Sequence, residues 1–282
     1  MPRLRSFSAA AIAIAIALAP ACAGRGDDDG DGDGSGDGDG GGDHGPDADT
    51  GGLPRYSLLV QGEVFPALVI EIDAVPGMES REETDEGLVD LLPDLIEKPD
   101  GVSAARDGAI ASRGADHEWT FDELDELAAD TFDLDTPTDT IKIHMMYIDG
   151  HSELDGDGGV ILGLAWSHTH LAMFKQTIED NCAGVPVLLR DEVCAAAELS
   201  IATHEVGHLL GLVDNGLPMV EDHRDPDEAH GRHDASDACV MYYAYEGEAL
   251  FDTLIEQISG GGSGDIGFDD ACLADLAAER AR

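Results

Sequence analysis

The apolar positions of this chain change period along its length, and each period implies an element. Residues 9–19, AAAIAIAIALA, are apolar without a break, with Arg3 and Arg5 before them and small residues after. That order is the pattern of a secretory signal, and the run is too short to span a bilayer comfortably as a mature helix. Residues 67–74, ALVIEIDA, carry β-branched residues and stop at Pro76-Gly77, which predicts a strand. Leu88, Leu91, Leu92, Leu95 and Ile96 recur at helical spacing within residues 83–97, with Pro93 as an interruption. Residues 107–112 suggest a short strand. Thr120, with Glu123 at the capping-box position, predicts the start of a helix over FDELDELAADTF. The most convincing strand is IKIHMMYI, residues 141–148, ended by Asp149-Gly150. VILGLAW (160–166) and LAMFK (171–175) read as two more. A long helix is expected over about residues 191–210, acidic at its positive end and apolar enough to be central. Strands and helices in this order predict an α/β domain in which a mixed sheet packs on helices.

Composition divides the chain. Residues 1–22 form the signal, and residues 23–54, nearly all Gly and Asp, form a linker that cannot bury a core and is extended by its own charge. Residues 55–282 are globular in composition. The DGDGDG stretch at 29–34 opens like a calcium loop, but the twelfth position from Asp29 is Gly40, where an EF-hand needs Glu. The net charge of −45 argues against nucleic acid as a partner, because phosphate would be repelled. The same acidity fits a saline habitat or loosely bound calcium and does not choose between them.

The five cysteines are Cys22, Cys182, Cys194, Cys239 and Cys272. Leu18-Ala19-Pro20-Ala21-Cys22 is similar to a bacterial lipobox, with Leu one place early and Pro intruding. If Cys22 carries lipid, four cysteines remain, and four can pair in an exported protein. The expectation is a cell-envelope protein tethered to the membrane through Cys22; cleavage at Ala21-Cys22-Ala23 would instead free it as a secreted or periplasmic domain. Among three possible connectivities, 182–194 with 239–272 is favoured.

The long helix ends in THEVGHLLGLVDNG. His204 and His208, four apart, project from one helix face and can share a metal ion, while Glu205 can reach a water on it. This is the zinc-peptidase pattern H-E-x-x-H. Gly211 suits a left-handed turn that ends the helix and lets the chain double back toward the metal. Asp214 stands three residues beyond it.

Extended in this way, the motif resembles the signature of the metzincin clan of zinc peptidases, H-E-x-x-H-x-x-G-x-x-H/D followed by a Met-turn. The run from His204 to Asp214 fits with the Asp option, and Cys239-Val240-Met241-Tyr242-Tyr243 fits the Met-turn, Met241 being the apolar floor beneath the metal. Over residues 141–245 the chain looks most like bacterial membrane-anchored metzincins. The resemblance implies a mixed twisted sheet packed on helices, a central active-site helix, and an antiparallel edge strand lining the cleft within residues 160–175. It also implies one catalytic zinc on His204, His208 and Asp214. Zinc would acidify a bound water, and Glu205 would take its proton as general base during hydrolysis of a polypeptide. Tyr243 stands where some metzincins carry an oxyanion-binding tyrosine; packing beside the Met-turn is the alternative. A second zinc site, found in relatives rich in C-x-x-C, is not expected, since no C-x-x-C occurs.

The third ligand has alternatives in the sequence. Asp214 precedes Asn215-Gly216, a turn pair where Asp is common for local reasons. The acidic loop beyond offers His223, His230 and His233, of which His223 and His233 are the alternatives to Asp214. His144 reads as a core or cleft-wall residue, and His168 and His170 as solvated turn residues. The leading function is a zinc-dependent endopeptidase; the alternative is an inactive surface-tethered metal- or peptide-binding protein on the same scaffold.

Overall fold

The computed structural model describes residues 52–156 and 159–282. The signal, Cys22, nearly all of the linker and Gly158 lie outside the described residues. In chain order the elements are α1 (Arg55–Val60), β1 (Ala67–Ala74), α2 (Glu82–Leu95), β2 (Gly101–Ala109), β3 (Glu118–Trp119), α3 (Phe121–Thr131), β4 (Thr140–Ile148) and β5 (His151–Ser152). They continue with β6 (Gly163–Trp166), β7 (His170–Phe174), α4 (Lys175–Gly184), α5 (Arg190–Leu209), α6 (Ala249–Ser259) and α7 (Asp270–Arg280).

Five strands form one sheet in the order β2-β1-β4-β7-β6. The first four are parallel, and β6 runs antiparallel to β7 at the edge. The fold is thus mixed α/β, a mostly parallel sheet packed on helices. Alternation along the strands explains the layers. Leu68, Ile70 and Ile72 of β1 and Ile141, Ile143, Met145 and Tyr147 of β4 share a core with Leu88 and Leu92 of α2 and Val193, Ala197 and Ile201 of α5. Met146 and Ile148 of β4 and Phe174 of β7 point the other way, onto Trp119 and onto Leu124 and Ala128 of α3.

Local signals explain most boundaries. Thr120 and Glu123 form the reciprocal capping box at the start of α3. Helix α2 runs through Pro93 and ends two residues later, because a proline in the last turn removes little of the helical ladder. Strand β2 lies over Gly101–Ala109 and not over residues 107–112. As an edge strand paired only to β1, it is largely solvated and lacks the apolar alternation that reveals a strand.

The side of the sheet away from α5 holds buried charge. His144 Nε2 lies 2.8 Å from Asp73 Oδ2, and Lys142 Nζ lies 2.6 Å from Glu71 Oε2. His170 and His168, expected in solvent, are half-buried. His170 shares a cage with Phe132 and His144, and burial pushes its pKa down to about 3. His168 Nδ1 bonds Leu209 O at 3.0 Å and so ties the β6–β7 turn to the end of α5. Cys182 and Cys194 are joined by a disulfide that ties α4 to α5. Cys239 and Cys272, expected as the second bridge, face each other with Sγ atoms 3.7 Å apart and are not bonded.

Candidate metal centre

Helix α5 is buried along its last three turns, and its four-residue repeat sets His204 and His208 side by side at the cleft end. Their Nε2 atoms are 3.1 Å apart. A third imidazole completes the group: His233 Nε2 lies 3.2 Å from both. Imidazole nitrogens that share one tetrahedral ion at ~2.0–2.1 Å stand roughly 3.3 Å from one another, so the spacing fits a metal.

The other ring nitrogens decide the protonation. His204 Nδ1 bonds Val240 O at 2.6 Å, and His233 Nδ1 bonds His230 O at 2.5 Å. A carbonyl only accepts, so each Nδ1 carries a proton, and in the neutral ring Nε2 then presents a lone pair to the centre. Lone pairs converging in a buried site repel one another unless a cation or a proton lies between them. The donor set fits zinc.

Asp214 is not in this group. The chain leaves α5 through Gly211 at φ +84°, as the sequence predicts, but Val213 and Asp214 are also left-handed, at φ +53° and +59°. This tight turn carries the Asp214 side chain outward, where it is 56% exposed and pairs with Arg224 at 3.0 Å. His233 returns because its loop is paired. Asp225 N–H donates to His233 O, Ala235 N–H to His223 O, and Asp234 N–H to Met241 O. Those bonds pin the loop against the Met-turn and aim His233 inward.

The remaining candidates sort by what they touch. Met241 is fully buried, and its sulfur lies against Gly207 of the H-E-x-x-H helix; a Cβ at Gly207 would stand 2.3 Å from Sδ. Tyr243 is stacked on His230 with ring centroids 3.4 Å apart and lies edge-on to Tyr242. His223 bonds Asp234 through Nδ1 at 2.6 Å and Asp275 through Nε2 at 3.0 Å. Both of its nitrogens therefore donate, and the two carboxylates, Asp234 first, push its pKa up to about 9. His223, Asp234, Asp269 and Cys272 form a second group of ligand-bearing side chains, their donor atoms within 4.8 Å of one another.

Glu205 is buried against β6. One carboxylate oxygen has no partner, and the side chain fills the space left by the absent Cβ of Gly163. Gly163 thus makes room for Glu205. Burial first, and then the charge of Glu246, push the Glu205 carboxyl well above the usual carboxylate range. A cleft of about 360 Å³ opens beside them, lined by Trp119, Leu124, Ile161, Trp166, His208 and Glu246 among others. Strand β6 forms its wall.

Glu246 was not foreseen. It ends a 3-10 turn, Tyr243–Glu246, that follows the Met-turn, and its Oε1 lies 2.8 Å from His233 Nε2. The same oxygen is 3.5 Å from His204 Nε2 and 3.7 Å from His208 Nε2. A carboxylate thirteen residues past a loop histidine carries no spacing signal, so only the folded chain reveals it.

No family model and no curated protein matches this chain. Among solved structures, the chain is similar to the archaemetzincin of Methanopyrus kandleri at 13% identity and a TM-score of 0.41, over 77% of this chain and 97% of that one.

Proposed function

We propose that this chain is a zinc-dependent endopeptidase. The observation that carries the reading is the convergence of three buried imidazole nitrogens, two of the rings holding their Nδ1 proton on a backbone carbonyl, next to an orphaned glutamate at the wall of a cleft. His204, His208 and His233 would hold the ion. Zinc bound there would supply a Lewis acid for the scissile carbonyl and a water acidified toward ~7.

The protein groups do the rest. Glu205, raised by burial, takes a proton from the attacking water and returns it to the leaving amine. Its desolvated carboxylate is the stronger base for lacking a second partner. The free edge of β6 offers main-chain groups to an extended polypeptide, which pairs there as an added strand. Met241 beneath the helix and the loop bonds at residues 223–225 and 233–235 keep the imidazoles preorganised. The oxyanion role considered for Tyr243 has little support from its stacked position on His230.

The test is Glu205→Gln. It should keep zinc and lose about 10²–10⁴-fold in hydrolysis of a quenched peptide library. Unchanged hydrolysis in that variant would sink the reading. Export and a lipid tether at Cys22 remain part of the proposal. Labelled fatty acid should enter the native chain and not Cys22→Ser.

A further inference from the structure

The three histidines define a triangle, and Glu246 Oε1 stands at its apex. The oxygen lies 2.8, 3.5 and 3.7 Å from the three Nε2 atoms, where the fourth donor of a tetrahedral set belongs. The carboxylate has no other counter-charge. It is 14% exposed, and imidazoles are its only ion-pair partners among the described residues. Two of those imidazoles already hold an Nδ1 proton on a carbonyl, and a buried carboxylate facing lone pairs is unfavourable until a cation or a further proton joins the group.

The backbone fixes this placement. Glu246 O accepts from Leu162 N–H at 3.0 Å, one residue before β6 begins. Gly247 packs against Val160, with 3.1 Å between Val160 O and the site of a Cβ. Tyr245 N–H donates to Tyr242 O, and the Tyr245 hydroxyl to Asp237 O. The segment from Tyr242 to Gly247 thus forms a strap. One end rests on the Met-turn, the other on the lead-in to the cleft strand, and the side chain reaches the metal group.

We propose that Glu246 is a fourth protein ligand of the metal, so that the resting site is closed and the carboxylate must leave before water or a peptide can occupy that position. The inference rests on the reading of His204, His208 and His233 as zinc ligands. It bears on mechanism because catalytic zinc sites keep one position open, whereas sites with four protein ligands are closed. A polypeptide that pairs along β6 reaches the same lead-in that Glu246 O holds through Leu162 N–H. Strand addition and retention of the strap that carries the carboxylate are therefore in competition for one short stretch of backbone.

The test uses two readouts besides hydrolysis. Zinc affinity, by chelator competition, is measured for the purified chain, Glu246→Gln, Glu246→Ala and His233→Ala. Loss of an outer-shell partner alone costs roughly 10–100-fold in affinity. Both Glu246 variants should therefore bind zinc at least about tenfold more weakly. The chain loaded with Co²⁺ is also titrated with azide. The native spectrum should resist azide at concentrations that shift the spectrum of Glu246→Ala. Native zinc affinity in both Glu246 variants, together with a native spectrum that responds to azide as readily as Glu246→Ala, would overturn the fourth ligand. If the native chain binds no zinc, or His233→Ala binds it as tightly as the native chain, the site reading itself fails.

Discussion

Helix α5 and the loop that follows it each bring ligand-bearing groups to the same centre, by different physics. On the helix, a fixed rise and a four-residue spacing place His204 and His208 with no help from the rest of the chain. In the loop, His233 reaches the same point only because residues 223–225 pair with residues 233–235 and Asp234 pairs with Met241. The loop also contains its own counter-example. His223 and His233 are the same residue type, ten apart, on the two paired sides of one loop. His233 has a carbonyl on Nδ1, and its Nε2 faces His204, His208 and Glu246 together; His223 has one carboxylate on each nitrogen and no second imidazole beside it. Both histidines have an acceptor on Nδ1, so what surrounds Nε2 separates them.

The sharpest way to break this comparison is to exchange ligands. His233→Ala should lose zinc and all zinc-dependent hydrolysis, matching His204→Ala, since removing one of three imidazoles opens the set. Asp214→Ala should retain native zinc affinity, because its carboxylate pairs with Arg224 at the surface. An isothermal zinc titration of the three variants separates them. Zinc lost in Asp214→Ala and kept in His233→Ala would return the third ligand to the helix-proximal turn.

That experiment also marks what the sequence could say. The α/β order, the capping box at Thr120, the exit at Gly211 and the pair on α5 rest on local periodicity and turn chemistry, which any window of residues displays. The third imidazole was open between Asp214 and two histidines, because spacing ranks ligand types and does not see pairing across a loop. Glu246 and the burial of His170 depend on contacts between distant residues, such as Leu162 with Glu246 and Phe132 with His170. The short strands β3 and β5 are two residues each, too brief for any period.

A smaller effect tests how the helix leans on the loop. Gly207 sits inside H-E-x-x-H with Met241 Sδ and the Phe268 ring where a Cβ would go, at 2.3 and 2.9 Å. Gly207→Ala gains helix propensity worth roughly 0.8–1.0 kcal/mol but overpacks the floor at a cost of about 1–3 kcal/mol. The net expectation is a lower melting temperature with weakened zinc binding, because the Met-turn that holds His204 through Val240 O is pushed away. Melting followed by circular dichroism, with and without zinc, would show it. Unchanged melting and zinc affinity would mean that Met241 is not the support of the site.

The smallest effect concerns pH and His223, which lies outside the three-imidazole group. His223 faces Asp234 from its own loop and Asp275 from α7, and their hydrogen bonds outweigh the burial that opposes its charge. Its folded pKa of about 9 lies above the ordinary value of 6.5 that the unfolded chain should show. A pKa raised on folding contributes stability that is complete below the unfolded value and is lost as pH climbs through the folded one. The native chain should therefore melt at progressively lower temperature between pH 6.5 and about 9. His223→Gln keeps hydrogen-bonding capacity but cannot titrate, so its melting temperature should be lower at pH 6.5 and should flatten across that window. The comparison is best made with metal removed from both forms, so that ligand protonation at His204, His208 and His233 does not enter the difference. Parallel pH profiles for the two forms would show that the carboxylates do not hold the charge on His223, and would return it to the set of histidines free to bind a metal.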